Sequence, residues 1–499
     1  MKYTSTRDAS IVASFEEVIC SGYAPDGGLY VPLRIPTFSL DDLKHWADLG
    51  YVDLAFEIFR RFISEEEISD EKLREICDAA FVGFKKPDHA VPVVKVGSLY
   101  VSELFHGPTF CFKDLGMRAT IGFLSFFATK RNRRITLLVS TTGDTGPAAV
   151  QAVADMGNPL LTILVHYPEG QISAFQRKQM TCIDSDVVVV AAFQGGGDDM
   201  DLPIKNLLRQ QDNVNSGRYL TGVNSYNFSR PMAQIVHHVW TYLRVIDHVT
   251  GGVIGDEIDI VLPTGAMGNI AGGEIARQMG LPIRKYCAAV NVNDISHRVI
   301  QTGNYHKSDF MIKTLSDAIN IQLPYNFERL LYYLTDGNHD LVRAWMTTVD
   351  QNSKLDLESE WVEKLLHKFD SARVTDDEMC RCMQKMHKIY NYFADPHTCV
   401  ALAAAEKLGY LIENETLVRP VAILATASPC KFEESCTIAL GQDGWQTYKE
   451  TMFPINASEI LTKEEKDPIL YSRQPTDSLP QAQLTWELQA NHIIATCFR

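Results

Sequence analysis

Between about residue 96 and residue 450 the chain alternates short, apolar, largely β-branched runs with stretches of helical spacing. The runs at 135–140, 160–165, 187–192, 258–262, 287–290 and 421–425 each suit one buried strand, and residues 147–156 and 269–279 read as helices between them. Strands that are apolar on both faces and separated by helices pair in parallel under helical layers. At 499 residues the chain exceeds one core, since domains hold roughly 100–200 residues. The expected fold is therefore α/β, with two parallel-sheet α/β domains interleaved across 96–450. Residues 1–95 read as a mostly helical segment, with helix starts at Ser39 and Ser69 and a turn-rich stretch from Tyr23 to Pro32. The hydrophobic pattern weakens after 450, so 451–499 is expected to be a loosely attached, partly helical tail.

Composition narrows the function. With 47 basic and 62 acidic residues the net charge is −15, which argues against nucleic acid or an anionic membrane as the main partner. No apolar run approaches the ~18–20 residues that span a bilayer. The start, from Met1 to Asp8, lacks the apolar core of a secretory leader, so a cytoplasmic location is expected. Eleven scattered cysteines fit a reducing compartment better than a disulfide framework. Cys380 and Cys382 with nearby His387 read as packing rather than a metal site, because no second ligand pair follows. No metal is expected.

Three segments can carry chemistry. Ser140-Thr141-Thr142-Gly143-Asp144-Thr145-Gly146-Pro147 and Pro263-Thr264-Gly265-Ala266-Met267-Gly268-Asn269 each run from a strand through a glycine loop into a helix. Such loops place backbone N–H groups at a helix N-terminus, where an anion is stabilised. Either loop alone is equally a structural turn; two together favour a phosphorylated cofactor and an acidic substrate. Neither is a nucleotide fingerprint, so a nucleotide-binding α/β protein is the weaker rival. Gly195-Gly196-Gly197 reads as a flexible connection. The third segment is Phe105 to Asp114. Lys113 lies among aromatic and small residues, where desolvation frees an amine for nucleophilic work; by composition alone the preferred reading is a surface lysine that starts a helix and pairs with Asp114. His237 and His238 read as part of a helix face.

In combination these segments resemble the threonine synthases of bacteria and fungi, which are pyridoxal-phosphate enzymes of fold type II (tryptophan synthase β-like). His106-Gly107-Pro108-Thr109 with Phe112-Lys113-Asp114 resembles the family's lysine motif, and Thr142 to Gly146 its substrate loop. Asn224 to Arg230 is similar to its asparagine–arginine segment, and Ala425-Thr426-Ala427-Ser428-Pro429-Cys430-Lys431-Phe432 to its late motif. Asp26 to Leu29, Asn291 to Asp294 and Asp395-Pro396-His397-Thr398 add support in the same order. The resemblance implies pyridoxal 5′-phosphate held covalently by Lys113, with its phosphate in the loop Gly265, Ala266, Met267, Gly268 and Asn269. It places Thr426 at the pyridine nitrogen. Thr141, Thr142, Gly143, Asp144, Thr145 and Gly146 would receive the substrate carboxylate, and Asn224 and Arg230 the substrate phosphate. The implied partner is a small phosphorylated amino acid, handled by a monomer or homodimer.

The chain departs from the family in two places that bear on outcome. Ala266-Met267 stands where synthases carry Asn-Phe, and Ser428 where they carry histidine. Both changes resemble the threonine synthase-like 2 branch of animals, whose activity is phospho-lyase. The expected reaction is elimination of phosphate from O-phosphohomoserine or O-phosphothreonine to give 2-oxobutyrate, ammonia and phosphate. Threonine synthesis from O-phosphohomoserine is the alternative. A catalytically inactive homologue acting as a binding protein is the alternative of another class.

Overall fold

The apolar runs form the centres of two sheets in the computed structural model, which describes residues 1–210, 218–410 and 419–498. One sheet orders Ile469–Tyr471, Val188–Phe193, Leu161–Pro168, Ile135–Ser140 and Tyr219–Gly222, all parallel. The other orders Phe369–Arg373, Ile283–Val290, Ile258–Pro263, Val421–Ala425, Leu99–Glu103 and Val93–Val96; only the last pair is antiparallel. The first sheet is contributed mainly by residues lying between the 99–103 and 258–263 strands of the second, so the two domains interleave along the chain. Ligands in open parallel sheets bind beyond the carboxyl ends of the strands. Here Ser140, Pro263 and Ala425 end their strands at one shared cavity, which Ser140, Pro263 and Thr426 line.

The N-terminal segment holds helices Leu40–Trp46, Tyr51–Phe62 and Asp70–Phe81, the first and last capped by Ser39 and Ser69. It also contains a small antiparallel sheet of Tyr3–Ser5, Val12–Ala13 and Tyr30–Pro32. Its aromatic rings buttress two helices of the main body. Phe15 and Phe59 meet Phe123 edge-on at 5.3 and 5.6 Å, and Tyr51 meets Trp240 at 5.4 Å. These rings back the helices Lys113–Arg131 and Ser229–His248, both of which reach the cavity.

Two expectations are corrected. The segment after 450 is built into the body. Ile469–Tyr471 adds a parallel edge strand, and the Tyr471 hydroxyl lies 2.9 Å from the buried His166 ring. Helix Leu479–Thr496 buries Ala482, Trp486, Ala490 and Ile494, one residue every four. A three-residue strand and so narrow an apolar stripe leave little periodic signal. Gly195 to Gly197 is a packed wall rather than a loose connection. A Cβ on Gly195 would stand 2.8 Å from Trp486, and one on Gly197 would stand 2.5 Å from Thr142. Trp486→Ala is expected to cost about 3–5 kcal/mol of stability, read from denaturant unfolding of the full-length chain.

Candidate active site

Backbone pairing between distant segments places the lysine. Phe112 N–H donates to the Thr426 carbonyl at 2.8 Å, and Ser428 N–H donates to the Phe110 carbonyl at 3.0 Å, flanking a bridge between Cys111 and Ala427. Lys113 then opens its helix with its side chain 16% exposed and lining the cavity. The pairing with Asp114 weighed above does not form. Asp114 turns back onto Thr109, accepting from its N–H at 2.8 Å and its hydroxyl at 2.6 Å.

Lys113 instead faces Asp144, with Nζ 3.6 Å from Oδ2. The other oxygen of Asp144 accepts from Lys431 Nζ at 2.7 Å and Gln176 Nε2 at 3.1 Å. Lys431 is 0% exposed and also donates to the Thr109 carbonyl at 3.0 Å. Burial opposes ionisation of Asp144, but the ammonium groups of Lys431 and Lys113, with the His397 ring, outweigh it and hold the carboxyl well below its usual range. Burial likewise opposes the charge on Lys431, and Asp144 overcomes it.

The 263–269 loop faces this lysine from the other sheet. Met267 takes a left-handed φ of 58° before helix Gly268–Met279. A Cβ on Gly268 would lie 2.7 Å from Ser225, so only glycine fits there without displacing that residue. The Ala266 carbonyl accepts from Asn326 Nδ2 at 3.0 Å. Several cavity walls carry buried polar atoms with no protein partner: Ser140 Oγ, Asn224 Oδ1, Arg230 Nε, Gln234 Oε1 and Asn269 Nδ2. Buried polar atoms are normally paired, so this concentration at one cavity marks a site shaped for a polar guest.

The cavity gathers most residues singled out in the sequence. Lys113, Thr142, Asp144, Thr145, Asn224, Arg230, Gly265, Ala266, Met267, Gly268, Asn269 and Thr426 all line it. Thr141, Gly143 and Gly146 are not among its walls; they shape the loop. Thr141 Oγ1 accepts from the N–H of Gly143 at 3.0 Å and of Gly146 at 2.9 Å. Ser428 is not a wall either: its hydroxyl lies 3.2 Å from that of Tyr448.

Sequence reasoning assigned no role to His397, Lys431, Asp198 or Asp201. His397 lines the cavity, with Nδ1 2.8 Å from Asp395 and Nε2 accepting from Ala318 N–H at 3.1 Å. Burial works against its charge, yet the Asp395 contact leaves its pKa raised. Nearby Asp317, half-buried with Oδ1 3.8 Å from His397 Nε2, is pushed up to about 7 by desolvation. Asp198 and Asp201 also face the cavity, and burial raises both. The Asp395-Pro396-His397 pattern was a usable signal, an aspartate N-cap with proline at the first helical position. Lys431 gave none.

Comparison with known proteins decides the family. Residues 2–81 match the family model "Threonine synthase N terminus", and residues 92–421 match "Pyridoxal-phosphate dependent enzyme". The chain belongs to the threonine synthase family of pyridoxal-phosphate enzymes. It is 34% identical to threonine synthase-like 2 of Rattus norvegicus, over 94% of this chain and 93% of that protein. Against the Xenopus laevis protein of the same name identity is 35%, covering 97% and 100%; against threonine synthase of Saccharomyces cerevisiae it is 31%, covering 93% and 94%. The crystal structure of yeast threonine synthase superposes with a TM-score of 0.85 at 29% identity, covering 98% of this chain and 99% of that one. Pyridoxal-phosphate-bound threonine synthase from Brucella melitensis gives 0.85 at 28%, covering 99% of each.

The fold is thus the expected fold type II, and pyridoxal 5′-phosphate is the cofactor. The residues present fit it: an amine in the cavity, a helix N-terminus opening on it at Gly268, and an unpartnered buried donor on Asn269. Lys431→Met is expected to leave the buried Asp144 with the Gln176 amide and the more distant Lys113 ammonium, costing about 3–5 kcal/mol at neutral pH. Because Asp144 is depressed in the fold, its contribution is complete above the unfolded carboxyl range near about pH 4 and is lost as the pH falls below it. The stability gap between the variant and the parent chain, followed by denaturant unfolding, should therefore hold from about pH 7 to about pH 4 and narrow as the pH falls further.

Proposed function

We propose that the chain is a phospho-lyase acting on O-phosphohomoserine, O-phosphothreonine or both. With water, the products are 2-oxobutyrate, ammonia and phosphate. Pyridoxal phosphate, when bound, supplies the electron sink that makes negative charge at the substrate Cα tolerable. Lys113 holds the cofactor and, once free, takes the Cα proton on its Nζ. Asp144, kept ionised by Lys431, gives that nitrogen a fixed counter-charge and so keeps it in the cavity when protonated. Thr426 offers the pyridine nitrogen a neutral hydroxyl rather than a carboxylate, which moderates the sink and suits elimination. Arg230 binds the substrate phosphate through charge-assisted hydrogen bonds; Asn224, expected from the resemblance to help, spends its Nδ2 on the Ser140 carbonyl at 2.8 Å and turns an acceptor oxygen to the cavity, so it is not a ligand for that anion. The Thr141 to Gly146 loop receives the substrate carboxylate.

The observation favouring elimination without rehydration is at position 428. The family's late motif carries histidine there, whereas Ser428 is tied to Tyr448 and gives the cavity no imidazole. Loss of that proton carrier removes one means of directing water to Cβ. Threonine synthesis is the second reading, favoured by His397, an imidazole that does line the cavity.

Incubating the purified chain and cofactor with each phosphorylated amino acid, and measuring 2-oxobutyrate, threonine and phosphate, tests the reading. The expected products are 2-oxobutyrate and phosphate in equal amounts; threonine as main product overturns it. No phosphate release would point to a binding protein. Lys113→Ala is expected to lose the yellow absorbance of the bound cofactor together with all turnover. Arg230→Gln should raise KM about 10–100-fold, as befits a lost charge-assisted hydrogen bond, with the cofactor spectrum unchanged.

A further inference from the structure

His237 and His238 are consecutive, both 0% exposed, and sit on helix Ser229–His248 behind the phosphate loop. Both rings converge on one side chain. His237 Nε2 lies 2.8 Å from Asn269 Oδ1; His238 Nε2 lies 2.9 Å from the same oxygen and 3.0 Å from the Asn269 backbone carbonyl. A backbone carbonyl only accepts, so His238 carries its proton on Nε2. Reversing the Asn269 amide would set its NH2 against that N–H, donor against donor. The oxygen therefore faces the histidines, and His237 must also donate to it. Neither Nδ1 has a partner, and burial lowers the pKa of both rings, His238 to about 4, so each is neutral with its proton on Nε2.

Two ring donors thus occupy the oxygen end of Asn269. Its Nδ2, with two N–H bonds, is buried and unpartnered on a residue lining the cavity at the first turn of helix Gly268–Met279. An asparagine without such neighbours could present either end to the site, and the oxygen end would repel an anion. We propose that the His237–His238 pair is a positioning device that locks the Asn269 amide with its NH2 toward the cofactor phosphate. The pair touches neither cofactor nor substrate; it acts through Asn269. The inference rests on the cofactor and not on which product the enzyme makes.

The test measures cofactor binding to the full-length chain. Dissociation constants for pyridoxal phosphate and for pyridoxal, which lacks the phosphate, are compared across His237→Phe, His238→Phe, the double variant, and His237→Gln and His238→Gln. Phenylalanine removes the donor, and glutamine restores an N–H. The expected result is at least about tenfold weaker pyridoxal-phosphate binding in the phenylalanine variants, the scale of one lost hydrogen bond to a charged group. Pyridoxal affinity should stay unchanged and glutamine should recover most of the loss. Equal weakening toward both ligands, or no weakening, overturns the proposal in favour of a packing role. Nitrogen-15 NMR of the unsubstituted protein supplies a readout independent of variant folding. Both rings should be neutral with the proton on Nε2, and a proton on Nδ1 of either ring overturns the lock.

Discussion

The site depends on a short antiparallel contact between residues more than three hundred positions apart. Phe110 to Phe112 and Thr426 to Ser428 exchange backbone hydrogen bonds where the 421–425 strand runs out. This contact sets Lys113 and Thr426 on one cavity, and it gives the lysine turn the partners its backbone needs once buried. Phe110 takes a left-handed φ of 59° within it, a conformation the surrounding hydrogen bonds must hold. Lys431, three residues beyond Ser428, then reaches Asp144 on the other domain's loop. The 425–432 segment, the lysine turn and the 140–147 loop are one connected unit, and a change in any of them is felt at the Lys113 amine.

How much of this was legible follows from the type of signal each part leaves. The strands at 135–140 and 421–425 were readable because residues buried on both faces are mostly apolar, with Thr136 and Ser140 the exceptions. The Ser39 and Ser69 helix starts were readable because a cap is a local hydrogen bond with a local signature. The tail was misjudged because its stabilising contacts are long-range: Trp486 packs on Phe193 and Tyr471 reaches His166, and neither pairing has a periodic trace. Lys431 was unreadable for a sharper reason. A lysine is almost always exposed, and only the folded chain shows that a carboxylate waits for it. Lys113 was recovered through family resemblance, since residue type alone left the surface reading open.

Cavity polarity bears on the choice between elimination and hydration. One wall offers Arg230, Asn269 and a helix N-terminus, suited to anions. The same cavity also carries Asp198 and Asp201, whose ionisation burial opposes. Whether water reaches Cβ then turns on which imidazole can hold it. Ser428 removes one. His397 remains, but its Nε2 lone pair is engaged by the Ala318 N–H and its Nδ1 by Asp395, leaving no free nitrogen to polarise water unless the 317–320 turn moves. On the proposed reading Lys113 serves proton removal, while His397, the imidazole on this cavity, has both nitrogens engaged and is not free to direct water to Cβ, which favours the lyase reading over the synthase.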